Sequence, residues 1–164
     1  MSLDLNNLKE QIQSIFQTAN TTTATQDLSS GLTNRVQRVL KVNPSYIPVQ
    51  SDWYPYVSIF IEGKEIELKD IAATQLAAKR EGTTTVKIVG AVWNSALSDD
   101  EIDAADEDCE DLMENIEQIL RGNPTLAGAA TWSAPTRVTY HNASLGEGVH
   151  LRAGVLDLEV TNYY

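Results

Sequence analysis

The sequence predicts an α+β fold: a mostly antiparallel β-sheet with two main α-helices, at about 3–18 and 98–121, packed on one of its faces. Three observations point there. Apolar residues recur at helical spacing near the N-terminus and again after residue 98. Apolar and polar residues alternate at strand spacing over 57–68, and a β-branched apolar run follows at 83–93. The last sixteen residues, VHLRAGVLDLEVTNYY, again alternate. The chain has 164 residues, which suits a single domain, 1–164, built on one core.

The elements follow in order. Over 3–18, Leu5, Leu8, Ile12, Ile15 and Phe16 form one apolar helix face, and Ser2 is placed to cap it. TANTTTATQDLSSG, 18–31, is rich in Thr and Ser and reads as a mobile loop. In NRVQRVLKV, 34–42, Val36, Leu40 and Val42 share strand parity, and although Val36, Val39 and Leu40 would also suit a helix turn, a strand is expected. The stretch 44–55 holds three prolines and is irregular. In YVSIFIEGKEIELKD, Val57, Ile59 and Ile61 share one parity and Ile66 and Leu68 the other, which predicts a hairpin turning at Gly63-Lys64. Residues 70–82 suit either a short helix or a connection. TTTVKIVGAVW, 83–93, reads as a central strand. TWSAPTRVTYHN, 131–142, reads as a strand interrupted near Pro135. In the last strand the apolar parity switches at Gly154, which predicts a β-bulge there.

Between these strands lies SDDEIDAADEDCEDLMENIEQIL, 98–120, with eleven acids and no base. Residues 98–124 carry a net charge of −10, against −11 for the whole chain, so the acidity belongs to one element. Ser98 as N-cap with Glu101 makes a capping box, Leu97 and Ile102 a hydrophobic staple. Arg121 suits the negative end of the helix dipole, Gly122 the left-handed position after it, and Pro124 stops continuation. Ile102, Ala105, Cys109, Leu112, Met113, Ile116, Ile119 and Leu120 fall on one arc and predict the buried side. Asp103, Asp106, Glu107, Glu110, Asp111, Glu114 and Glu117 fall on the other and are the candidate acidic interaction face. The window 99–110 also approximates a calcium-binding loop. Ala104 stands where that loop needs Gly, and Asp106 where it needs an apolar residue, so the helix reading wins. Like charges four apart, as in Asp103–Glu107–Asp111, cost helix stability, so the face is expected to meet a basic neighbour, to repel something, or to serve solubility.

Chemistry is otherwise sparse. The two histidines, His141 and His150, match no short metal-ligand spacing with Cys109, and no nucleophile elbow, phosphate loop or dinucleotide fingerprint occurs. We therefore expect no enzyme, no cofactor and no metal. The single cysteine forbids an internal disulfide. The N-terminus lacks the features of a signal peptide, no run is long enough to span a membrane, and no basic patch suits sequence-specific nucleic-acid binding. Trp53, Tyr54 and Tyr56, with the terminal Tyr163 and Tyr164, are the candidate subunit interface, since Trp and Tyr anchor interfaces and a terminal strand can pair with another chain.

The order of the elements resembles the tail terminator (tail completion) proteins of long-tailed bacteriophages. An amphipathic N-terminal helix leads through an irregular stretch to YPYVSIFIEGKEIEL, then GTTTVKIVGAV, a helix ending in ENIEQILRGNPTLAG, and the closing VLDLEVTNYY. The resemblance spans most of 3–164 and implies a homo-hexameric ring in the virion. That ring would cap the tail tube protein and offer a surface to the head-side neck or connector protein, with the sheet lining the ring and the helices outside. Other phage neck and minor tail proteins share such patterns. An acidic protein-binding module, such as a DNA-mimic inhibitor, is the alternative from charge alone.

Overall fold

A computed structural model describes residues 4–48, 50–68, 80–94, 99–146 and 148–163. The elements are α1 (Leu5–Ala19), β1 (Arg38–Leu40), β2 (Tyr56–Leu68), β3 (Arg80–Asn94), α2 (Asp99–Arg121), β4 (Trp132–Gly146) and β5 (Val149–Tyr163). One five-stranded sheet has the order β1-β2-β3-β5-β4. The short β1 runs parallel to β2, and every other pair is antiparallel. The fold is α+β, as the patterning implies.

Both helices lie on one face of the sheet. From α1 come Leu8, Ile12 and Phe16, and from α2 Cys109, Leu112, Met113, Ile116, Ile119 and Leu120. They meet Val57, Ile59, Val86, Ile88, Leu156, Leu158 and Val160, which share a face in the strand register. Each such side chain, removed from water, contributes about 1.5–3 kcal/mol. The other face carries a second, smaller cluster. Ile47 and Tyr54, from the irregular stretch before β2, cover Tyr56, Val89 and Ala91, with Trp93, Leu151 and Val155 alongside.

That second cluster explains one departure from the sequence reading. Gly154 is not a bulge: β5 keeps unbroken register through it, opposite Gly90 on β3 and Tyr140 on β4. The apolar parity switches because β5 packs one face under the helices after Gly154 and the other against the second cluster before it. Nor is Gly63-Lys64 a turn. β2 runs on to Leu68, and Glu62 is the extra residue of a bulge between Ile61 and Gly63. One inserted residue flips parity just as a turn would, so the pattern alone could not separate them. Pro135 does mark an irregularity, a register shift inside a continuous β4.

The helix ends differ as well. The cap of α1 is Asp4, whose carboxylate accepts from the N–H groups of Asn6 and Asn7 at 3.0 and 3.1 Å. Gly122 does not adopt the left-handed conformation; the side-chain amide of Asn123 instead donates to the Ile119 carbonyl at 2.8 Å, and its backbone N–H to the Leu120 carbonyl at 3.0 Å. The left-handed turn comes later, at Leu126, Ala127 and Gly128 (φ 48°, 55° and 88°), and it turns Leu126 fully into the core. Ile102, in the first turn of α2, is 40 % exposed, not buried. Ser2, Leu97, Ser98, Tyr164 and the 70–79 part of the helix-or-connection stretch lie outside the described residues, as does the side chain of Glu101.

Candidate functional site

The acidic face is assembled by the same spacing that builds the core. Burying the Ala105–Cys109–Leu112–Ile116 side of α2 turns Asp103, Glu107, Glu110 and Glu114 to solvent. Asp106, Asp111 and Glu117 sit at the flanks, half-buried. Two of the seven meet bases. Asp106 Oδ1 lies 3.0 Å from Arg152 Nε, and Glu117 Oε1 lies 2.7 Å from an Arg121 nitrogen. Asp111 packs over Gly31, in the loop after α1. Among the described residues no base pairs with Asp103, Glu107, Glu110 or Glu114.

One residue within the acidic run does a different job. Asn115 is buried, and its amide donates to the carbonyls of Leu28 and Ser30 at 3.1 and 2.8 Å while its Oδ1 accepts from Gln26 at 3.1 Å. Asp27 adds a two-pronged pair with Arg35 at 2.8 and 2.9 Å, and Leu28 is wholly buried. The Thr-rich stretch is therefore anchored at its C-terminal half. Between that stretch, α1 and the end of α2 runs a groove of about 750 Å³ whose lining, including Gln11, Thr18, Thr21, Gln26 and Gln118, is entirely uncharged.

The aromatic residues do not form one surface. Tyr54 stacks at a tilt on Tyr56 and Trp93, with centroids 4.9 and 5.4 Å away, and both tyrosines are buried within the chain. Burial raises both phenols above the ordinary tyrosine range. Trp53 is half-buried beneath the Arg38 guanidinium, 3.9 Å from its ring centroid. Tyr163 lies at the other end of the sheet, opposite Glu81, whereas Tyr56 is opposite Ala91. Ten residues of strand separate them, roughly 33 Å. Exposed Trp132, opposite Thr161, is the large aromatic nearest Tyr163 in the register, a neighbour that no sequence spacing signals.

The titratable residues are dispersed. His141 is opposite Ala153 and His150 opposite Asn94, so the two point to opposite faces. Burial first, then nearby carboxylates, pushes the Cys109 thiol up to about 12, which makes it a core atom and not a thiolate. Across the face away from the helices runs an ionic ladder. Lys87 contacts Asp157 at 2.6 Å and Glu62 at 3.5 Å, and Arg137 reaches Asp157 at 3.2 Å. The Asp157 carboxylate beside it raises the Lys87 ammonium above the ordinary lysine range.

No protein-family model matches the chain. No curated protein matches it either. Among solved structures it is similar to a chain of the virion of a native gene transfer agent particle, with a TM-score of 0.30 and 11 % identity over 92 % of this chain and 94 % of that one. An overlap that loose establishes no common fold and carries no functional conclusion.

Proposed function

We propose that this chain is a structural virion protein, a tail terminator that forms a homo-oligomeric ring, caps the tail tube and connects it to the neck. It works through its surfaces and not through catalysis. The observation that carries the reading is the element order, from the amphipathic helix through ENIEQILRGNPTLAG to VLDLEVTNYY, with its helices gathered on one sheet face. Light scattering coupled to size exclusion tests it. The expected result is a discrete species at a small multiple of the 18.0 kDa chain mass, seen as rings by electron microscopy. A strict monomer at about 100 µM, a concentration that exceeds the Kd of micromolar interfaces, would overturn it.

A second reading, an acidic module for a basic protein, is favoured by the four exposed carboxylates that no base meets. It requires salt-sensitive binding to a basic protein that Glu107→Gln, Glu110→Gln and Glu114→Gln together abolish.

A further inference from the structure

The sheet ends in two long edges. β4 is outermost on one side, and between its register shifts Arg137–Ser144 is eight regular residues without proline or lysine. On the other side β1 covers only Tyr56–Ser58, so that among the described residues β2 from Phe60 to Leu68 forms a second edge of the sheet. Among the described residues no backbone hydrogen bond from outside the sheet reaches either. Edges of this length are templates for another strand; Arg137–Ser144 of β4 has none of the lysine, proline or bulges that ordinarily blunt one, while the β2 edge carries Lys64 and the bulge at Glu62.

The two edges complement each other in charge and direction. β4 contains no acid and carries Arg137, whose side chain is 67 % exposed, and exposed His141. β2 from Phe60 onward carries exposed Glu62 and Glu65 beside Lys64. Arg137, His141 and Glu65 face away from the helices, opposite Asp157, Ala153 and Thr83, and Glu62 joins the ionic ladder on that face. Three antiparallel steps separate β2 from β4, so they run in opposite directions. Two copies side by side in the same orientation therefore bring β4 of one antiparallel to β2 of the next. Each copy uses each edge once, and such a head-to-tail contact closes into a ring when the rotation permits.

We infer that β4 of one copy pairs with the β2 edge of the next, so that the sheet continues from subunit to subunit. The inference rests on the ring reading and names the surface that makes the ring. Charge exchange tests it. Arg137→Glu/His141→Glu makes both edges acidic, and Glu62→Lys/Glu65→Lys makes both basic. Each variant alone is expected to raise the concentration of half-assembly by about tenfold or more, since like charges across a strand pair repel. A 1:1 mixture is expected to reassemble as an alternating ring, because every contact then joins unlike edges. The four positions are exposed, and thermal melts check that each variant folds. Proline supplies a backbone test. Consecutive N–H groups of a strand point to opposite sides, so one of Thr139→Pro and Tyr140→Pro breaks the ladder to β5. The other is expected to melt near the parent and fail to assemble.

Both charge variants assembling like the parent would place the interface elsewhere and leave the ring reading standing. Loss of assembly in Arg137→Glu/His141→Glu alone would indicate a two-fold β4–β4 contact and overturn the inference. A monomeric parent overturns the ring reading and this interface with it.

Discussion

At the scale of single residues, the loop after α1 is held by polar contacts that hydrophobic patterning does not register. The Arg35 guanidinium beside Asp27 holds its carboxyl below the ordinary aspartate value of 3.8; the Ser29 N–H adds to this and partial burial opposes it. A carboxylate whose folded pKa is depressed contributes stability above its unfolded pKa and loses it as pH falls through the folded one. The loop should therefore loosen below pH 3.8, and Asp27→Asn should remove that step from a pH series of hydrogen-exchange protection over residues 27–36. An Asp27→Asn series with an unchanged acid step would contradict this. Asn115 is the stronger anchor. Removing its amide leaves the buried Leu28 carbonyl without that partner, so Asn115→Ala should cost about 1–3 kcal/mol in denaturant unfolding. In sequence Asn115 is one more polar residue in an acidic helix; only the loop that folds back from eighty-odd positions away makes it structural. Leu28, the plug of that loop, was similarly hidden among threonines and serines.

At the scale of elements, spacing was legible and contact distance was not. The periodicity that defines α2 also marks the side it buries from Ala105 to Leu120, because the spacing fixes which residues share a face; at Ile102, on the same arc, the exposure depends on what packs there. Where a strand turns, bulges or changes face depends on its neighbours, so the parity changes near Gly63 and Gly154 look alike in sequence but are a bulge in one case and a change of buried face in the other. Gly154 is required by packing. It pairs with Gly90, and both lie beneath Met113 of α2. A methyl group on Gly154 would sit 2.3 Å from Met113 Cγ, and one on Gly90 would sit 2.9 Å from Met113 Sδ. The glycine pair lets α2 settle close to the sheet. Gly154→Ala should destabilise by about 1–3 kcal/mol through overpacking. Met113→Ala should cost less in the Gly154→Ala background than alone, since the added methyl occupies part of the vacated space. Additive costs in the four-member cycle would show that the two sites do not share that contact.

At the scale of the whole molecule, charge is arranged against stability. The bases are spread over the chain while the acids crowd one helix, where Asp103–Glu107, Glu107–Asp111, Asp106–Glu110 and Glu110–Glu114 are all like-charged neighbours one turn apart. Each such pair costs about 0.2–0.5 kcal/mol. Replacing Glu107, Glu110 and Glu114 by Gln removes all four, so the variant should be more stable by on the order of 1 kcal/mol at low salt. The parent should gain stability as salt rises toward the concentration at which the Debye length is about 8 Å, and the variant should gain less. Equal melting points and equal salt slopes would mean that the face is already neutralised by its surroundings and carries no repulsion. A stabilised variant that also assembles like the parent, and binds no basic protein less well, would assign the charge to solubility. A stabilised variant that loses assembly or capture would mean that the repulsion in the free chain is relieved against a basic surface in the complex. The same repulsion that weakens the isolated helix would then add to the driving force for docking it.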